Sequence, residues 1–556
     1  MYISEVRIQN YRTFREVTFY LNSESNYIVG DNNIGKTNFL DLLKTTTHGY
    51  GFREKDFLDT SRPIIVTFSL SGKDAGMDEE ARIELRQSIK EVVPRLYNRD
   101  TGEQLPLEYM RGLFYIDYSL HDIPRLLVTE EELSAIGTFF KDYFSGGHGE
   151  IQAVEALLKK KGITLTLPDD PARASMILVS EIFGTLETGA VYGNILKLML
   201  AIGAHLLIKL LEKKNSKTLS FENIVITDKK GKRYFPLVVS IDEPELHLHP
   251  YLQRAVLAFC KSILNNEDPF FLRIIKKTLS VDGLDGQMVV VTHSTDALVD
   301  DYRKIIRLYW DDKKKVQAAC GASFKFDAEI EKHLIMHFPE VKEALYAQCA
   351  IIVEGETEHG SFSYFAKTLG IHFDYHGICL INARGESSIS KISRLVRSFH
   401  IPAISLYDRD VMGKTNPSPY VFYTDYLCFE MDVVKACISQ GRRDRLDAVV
   451  SDIEEYGDLV PAALVKKAGA KLSLAKDSYP PRKLSNINPR DTRALEFYYF
   501  AWLYGNKGVI IGRSLGTHLG KKEIPPAFRN VILAAAAITL AGKEKENGGK
   551  GMPSES

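Results

Sequence analysis

Residues 30–37, GDNNIGKT, constrain this chain more than any other stretch. They fit G-x-x-x-x-G-K-[ST] at every fixed position, and each position has a physical role. Glycines let backbone N–H groups curl around phosphates, the lysine reaches the outer phosphates, and the hydroxyl serves Mg²⁺. Upstream, Asn26 to Val29 read as a short strand, and a helix starting near Lys36 adds its positive end. ATP is the expected ligand, held by Gly30, Asn32, Asn33, Gly35, Lys36 and Thr37, with Thr37 also on the metal.

Two later runs fit the same machine. Leu237 to Ile241 is an apolar strand ending in Asp242 and Glu243, an Mg²⁺-holding aspartate beside a carboxylate placed to orient water. "QMVVVTHSTDAL" is a second apolar strand with His293 at its carboxyl end. Strands without polar alternation imply a parallel sheet covered on both faces, whose ligands sit at the carboxyl ends. His247 and His249 in "HLHP" read as alternation in an extended loop rather than as a metal pair.

In this order the motifs resemble ABC-type ATPases of the recombination and chromosome-maintenance kind. The strand "VRIQNYRTF", Walker A, Walker B with "DEPE" and "HP", and a switch histidine all match, over residues 1–70 and 175–310. The ATPase domain is therefore expected over 1–125 and 175–340, with a helical insertion at 126–174. "TEEELSAIGTFFKDYF" and "EIQAVEALLKKK" have helical periodicity around "SGGHG", as a dimer contact or as a solvated arm. One departure stands out. The Ser-Gly-Gly signature before Walker B is replaced by "ETGAVYGN", with Gly189 and Gly193 as stand-ins, so ATP binding is expected ahead of vigorous hydrolysis.

A second site lies downstream. "AIIVEGETEHG" runs a strand into Glu354, then Glu358 in the first turn of a helix. "GICLINARGESSIS" repeats strand and turn at Gly385, and "IPAISLYDRD" ends a strand in Asp408 and Asp410. Successive βα units thus deliver acids or a close-approach glycine to one edge of a small parallel sheet. Carboxylates so gathered repel one another unless a divalent cation intervenes, and hard oxygen ligands favour Mg²⁺ or Mn²⁺.

This pattern resembles a Toprim domain through Glu354, Gly385, Asp408 and Asp410, and "EGETE" resembles the OLD (overcoming lysogenization defect) family. That family joins an ABC-type ATPase to a C-terminal Toprim nuclease, and Gabija-type anti-phage nucleases are its close relatives. The resemblance implies an α/β chain: a P-loop ATPase domain with a helical insertion, then a Rossmann-like Toprim domain at 345–540 and a flexible tail at 541–556. It implies further site residues. Glu430 and Asp432 are candidates for a later acid, and Lys507 in "YGNKGVIIG" for the base; Glu430 could equally pair with a structural arginine.

Function follows as an expectation. Glu354, Glu358, Asp408, Asp410 and Glu430 or Asp432 would hold Mg²⁺ or Mn²⁺, Lys507 would neutralise the scissile phosphate, and DNA would be cut. The basic stretch at 439–484 is the candidate for DNA contact, with a solvated loop as its alternative. The ATPase half would regulate, acting as a homodimer or larger assembly, and a separately encoded helicase is a further partner. The rival from another class is a DNA-repair-type ATPase scaffold with an inactive Toprim site. A topoisomerase or primase fits less well, because no further DNA-cutting domain is long enough and a primase would lack the ATPase. The net charge of −1 shows no global basic excess, and six scattered cysteines without a C-x-x-C pair suit a reducing cytoplasm. No apolar stretch approaches the roughly 20 residues of a membrane span.

Overall fold

The computed structural model describes all residues except 1, 72–80, 112–113, 120–129, 161–163, 184–194, 215–220, 247, 299–300, 415–417, 476–478 and 548–556. Gly189, Gly193, His247, most of the expected tail and part of the insertion lie outside the described residues. The chain divides into two units, Met1–Phe324 and Lys325–Ser556.

The first unit holds two sheets. One orders Val316–Cys320, Ile305–Trp310, Ser25–Gly30, Gly283–Val291, Arg233–Asp242 and Phe114–Ser119; the last five are mutually parallel. Every residue of Ser25–Gly30 and Gly283–Val291 is buried, as in strands covered on both faces, and the polar Asn26 and Gln287 among them bond to backbone groups. The other sheet is antiparallel, six strands built around Tyr2–Tyr11 and Ile64–Ser71, and sequence reasoning did not anticipate it. Its inward residues Val6, Ile8 and Phe68 share a core with Phe39 and Leu42 of helix Lys36–His48 and with Val238 and Val291. The antiparallel sheet therefore clamps the phosphate-loop helix from outside.

Insertion helices Glu130–Phe144 and His148–Lys160 are followed by Pro171–Phe183, which runs beyond the expected end at 174. Glu150 pairs with Lys277 at 3.3 Å and Arg273 at 3.2 Å, both on helix Pro269–Leu279, so the insertion docks on its own unit.

The second unit centres on a four-stranded parallel sheet ordered Ile378–Asn382, Cys349–Val353, Ala403–Tyr407, Val421–Tyr423. From the inner strand Cys349–Val353 the chain moves outward to Ile378–Asn382, then back across to Ala403–Tyr407. Right-handed crossovers therefore place helices Glu356–Thr368 and Glu386–Ser398 on opposite faces. The carboxyl end of Cys349–Val353 is the point where the winding direction reverses, the position where open α/β sheets bind ligands. The unit begins at Lys325 rather than near 345 because helix Ala328–Val341 belongs to it: Glu340 pairs with Arg384 at 2.5 Å, and Phe326 underlies the Arg394 guanidinium at 5.0 Å. Helix Pro526–Asn547 closes the fold and extends past the start of the expected tail. Among the described residues, no helix is long and apolar enough to cross a membrane.

Candidate active sites

In the first unit the phosphate loop is shaped by close approach. Gly30 has φ 141°, and a Cβ there would meet the Leu308 carbonyl oxygen at 2.5 Å; Gly35, φ 109°, would strike Thr13 Oγ1 at 2.4 Å. Lys36 is buried and bonds the carbonyls of Gly30 at 3.0 Å and Asp31 at 2.8 Å, inside the curl of backbone that would wrap phosphates. Burial holds its pKa below the usual lysine value, opposed by Asp31, Glu243 and Asp242. Those charges bring Walker A and Walker B to one place. Asn32, Asn33 and Thr37 stand exposed along the same loop and first helical turn.

Asp242 ends its strand opposite Val291, and Glu243 follows in a left-handed conformation, φ 48°, its N–H bonded to the Val291 carbonyl at 2.9 Å. That kink aims Glu243 at His293, 3.6 Å away. Burial and then the Lys36 charge keep His293 below its ordinary pKa, against the pull of Glu245 and Glu243. Glu245 was missed by sequence reasoning. It accepts bonds from Thr292 Oγ1 at 2.7 Å and His293 N–H at 2.6 Å, fixing the switch loop to Walker B. Its place two residues after Glu243 in "DEPE" was the available signal.

In the second unit, five consecutive buried residues, Cys349–Val353, deliver Glu354 to the sheet's carboxyl edge, and the Gly385 N–H donates to the Glu354 carbonyl at 2.9 Å. Gly385 has φ 139°, which only glycine adopts readily. Glu358 follows on the first turn of Glu356–Thr368 and is buried. Asp408 ends Ala403–Tyr407, buried, accepting from Phe429 N–H at 3.2 Å. Glu430, 1% exposed, enters from helix Phe429–Ser439. A stack of rings holds that helix beside Glu356–Thr368: Phe429 lies 4.7 Å from Phe528, which also meets Phe362 and Phe365.

Each of these carboxylates bears on the others. Burial, then Glu430, pushes Glu358 up to about 7. Burial, then Glu358, Glu354 and Glu430, pushes Asp408 up to about 8. Glu354 is also raised, by burial and then by Glu386 and Asp410 against Lys507. Glu386, in the turn after Gly385, is a second residue that sequence reasoning passed over; the "GES" after a strand was its signal. Lys507 answers the charge, pairing with Glu430 at 3.0 Å, and its own pKa is raised by Glu430 and Glu358 against burial. It arrives there through glycine packing: Gly360 approaches Val509 and Gly512 approaches Thr357 so closely that a Cβ would sit 2.5 Å and 2.1 Å from backbone oxygens.

Two nominated residues are otherwise engaged. Asp432 accepts from the N–H groups of Asp425 at 2.7 Å and Tyr426 at 2.6 Å, so it organises a loop, while burial lifts it to about 7. Asp410 is exposed and paired with Lys471 at 2.5 Å. Within the basic stretch Arg443 is tied into the fold, bonding Tyr499 Oη, Ile487 O and Leu484 O, and Arg442 pairs with Asp444 at the surface, while Lys466, Lys467, Arg482 and Lys483 stand exposed.

A cation fits the chemistry of the donor set. Glu354 Oε2 is buried with no hydrogen-bond partner, and both Glu430 oxygens are likewise without a hydrogen bond, though Lys507 lies alongside. Buried carboxylate oxygens left so are expensive unless a cation completes them. Among the described residues, no three His, Cys, Asp or Glu side chains already converge on one coordination point.

Comparison with known proteins separates the two halves. Residues 345–410 match the family described as overcoming lysogenization defect protein-like, TOPRIM domain, and residues 1–69 match an AAA ATPase domain. The chain thus pairs an ATPase match in its first unit with an OLD-like TOPRIM match in its second. The DNA replication and repair protein RecF of Proteus mirabilis strain HI4320 is 32% identical over 82 residues, 15% of this chain and 23% of RecF. RecF of Francisella tularensis subsp. mediasiatica is 27% identical over 111 residues, 17% of this chain and 32% of that protein. The chain thus spans between about a quarter and a third of the curated relatives it matches. Among solved structures, an SMC head bound to the C-winged helix domain of ScpA aligns with TM-score 0.34 and 14% identity, covering 57% of this chain and 97% of that one. The C-terminal region of the Burkholderia pseudomallei OLD protein aligns with TM-score 0.23 and 17% identity, covering 35% and 99%.

Proposed function

We propose that the chain is an OLD-type, ATP-binding, divalent-metal-dependent DNA endonuclease, acting in the cytoplasm in anti-phage defence, whose ATPase unit regulates the Toprim site. The observation that carries the reading is the quartet of the half-buried Glu354 and the buried Glu358, Asp408 and Glu430, with Lys507 against it. When bound, Mg²⁺ or Mn²⁺ would supply an activated water and charge stabilisation at the leaving oxygen. Glu354, Asp408 and Glu430 would hold it, with Glu358 completing the shell and Asp410 joining once Lys471 lets go.

The chain's own residues do the rest. Lys507, partly exposed and paired with Glu430, places a positive charge where negative charge builds on a phosphate. With its pKa pushed up to about 7, Glu358 holds a proton near neutral pH while the site is empty, and a bound cation would displace that proton. In the other unit Gly30 to Thr37 would cradle ATP, Asp242 and Thr37 would hold its Mg²⁺, and Glu243 with His293 would orient water. The absence of a recognisable signature motif supports nucleotide occupancy, rather than turnover, as the regulator. The assembly is a homodimer or larger, with a separately encoded helicase as a further partner.

The test is cleavage of supercoiled plasmid with Mg²⁺ or Mn²⁺ by wild type and Glu354→Ala, each with and without ATP. Metal-dependent cutting lost in the variant supports the reading. A second reading, an ATPase scaffold with an inactive Toprim site, draws on the Lys471–Asp410 pair and the unconverged ligands. No cutting by wild type under any metal would favour it.

A further inference from the structure

The sheet of the second unit is covered unevenly. Its crossover into the edge strand Val421–Tyr423 begins with a short 3-10 helix, Arg409–Lys414, where the two preceding crossovers use full α-helices. Beside helix Glu386–Ser398 this leaves a groove of about 650 Å³. Ser405 and Tyr407, alternate residues of one strand, form the floor, with Val421 in register beside Ser405. Ser387, Ser390, Arg394 and Arg397 line the wall; their spacings of three and four put them on one helical face.

The lining chemistry selects the occupant. A protein helix would want an apolar floor, but this groove offers hydroxyls, cations and the edge of one tyrosine, Tyr407. Arg394, Arg397 and Lys414 all face it, and among the described residues none of the three pairs with a carboxylate. Two are held in place: Arg394 over the Phe326 ring, and Arg397 over the Tyr420 ring at 5.6 Å with a 2.7 Å bond to the Ala403 carbonyl. Tyr420 is itself 45% exposed beside the groove. Cations that track a backbone, interleaved with rings on which bases stack, are how proteins grip single strands. At one end Glu386 and Tyr407 stand at the carboxyl end of the sheet, the edge that also carries Glu354 and Asp408.

We propose that this groove binds a single-stranded polynucleotide and leads it to the Glu354–Asp408 cluster. The direction of travel rests on the nuclease reading; the binding does not. The experiment is fluorescence anisotropy of a short labelled oligothymidylate on the full chain in EDTA, where no cutting intervenes. The variants are Arg394→Glu/Lys414→Glu and, separately, Ser390→Glu on the exposed helix face. Lys229→Glu/Lys230→Glu, in an exposed turn of the first unit, makes the same change in net charge and serves as control. Affinity should fall about tenfold or more in the groove variants and little in the control. The slope of log affinity against log salt should shrink by about 1.4 in the double variant, at about 0.7 per lost phosphate contact. Groove variants that bind like the control would overturn the proposal, as would a labelled duplex bound more tightly than the single strand. Plasmid cutting by the same proteins keeps the two readings apart. Cutting with unchanged binding sinks the groove alone, and groove-dependent binding without cutting sinks the nuclease alone.

Discussion

Glu358 and Asp408 are acids kept from water among other acids, and that has a measurable sign. Between the ordinary carboxylate range near 4 and their folded values of about 7 and about 8, the folded chain keeps protons that the unfolded chain has released. Stability therefore falls as pH rises through that window, by at most ~1.4 kcal/mol per pH unit for each group. In EDTA, the melting temperature of the second unit should drop between pH 5 and 8, and Glu358→Gln should flatten the drop and melt higher at pH 8. Mg²⁺ should stabilise wild type more at pH 8 than at pH 6. Superimposable melting profiles for wild type and Glu358→Gln would contradict this account. Lys471 makes a different prediction. Its pair with Asp410 is partly exposed, and such pairs contribute only ~0.2–1 kcal/mol. Lys471→Ala should leave the melting temperature nearly unchanged while freeing Asp410, so Mn²⁺ should bind up to about fivefold more tightly by calorimetry. Unchanged or weaker Mn²⁺ binding would mean that Lys471 does not compete for that carboxylate.

At the scale of elements, the Toprim site depends on two helices that touch through glycine. Gly512 sits so near Thr357 that a Cβ would fall 2.1 Å from its carbonyl oxygen, with backbone on both sides and no flexible end to move. Gly512→Ala should therefore part helices Val509–His518 and Glu356–Thr368, costing ~1–3 kcal/mol. Because Lys507 precedes that helix, the same variant should loosen the Lys507–Glu430 pair and weaken cutting beyond any loss of folded protein. Gly469→Ala is the contrast: it lies in helix Ala462–Lys471 with nothing within 4 Å, so it should be neutral or stabilising by ~0.5–1 kcal/mol. Urea unfolding of both variants checks the pair. If Gly512→Ala is as stable as wild type, the close packing is not what positions Lys507.

For the whole molecule, the question is which site governs the other. Lys36→Ala removes the cation inside the phosphate loop and should abolish ATP binding measured by equilibrium dialysis. If the ATPase unit regulates, the variant still cuts plasmid with Mg²⁺ or Mn²⁺ but no longer responds to ATP. Complete loss of cutting by a folded Lys36→Ala protein would make nucleotide an obligatory part of the reaction.

Local signals determined much of this protein. The phosphate loop, the apolar strands ending in Asp242, Glu354 and Asp408, and the turn at Gly385 were legible because each needs only neighbours in sequence: a strand, its acid, a glycine, a helix. What demanded tertiary structure was every choice between equivalent-looking residues. Glu430 and Asp432 lie two apart on one helical turn, yet the first faces Lys507 and the second caps a loop, because helix Phe429–Ser439 is rotated by its ring stack on Phe528. Glu245 and Glu386 were passed over in the sequence, and neighbouring strand ends bring them to His293 and Glu354. Within the basic stretch at 439–484 folding tied Arg443 to backbone carbonyls and Lys471 to Asp410 but left Lys466, Lys467, Arg482 and Lys483 exposed, while Arg394, Arg397 and Lys414, scattered in sequence, came to share a groove. Sequence carries the periodicity that makes an element; which face meets which partner is fixed only when burial and charge are settled together.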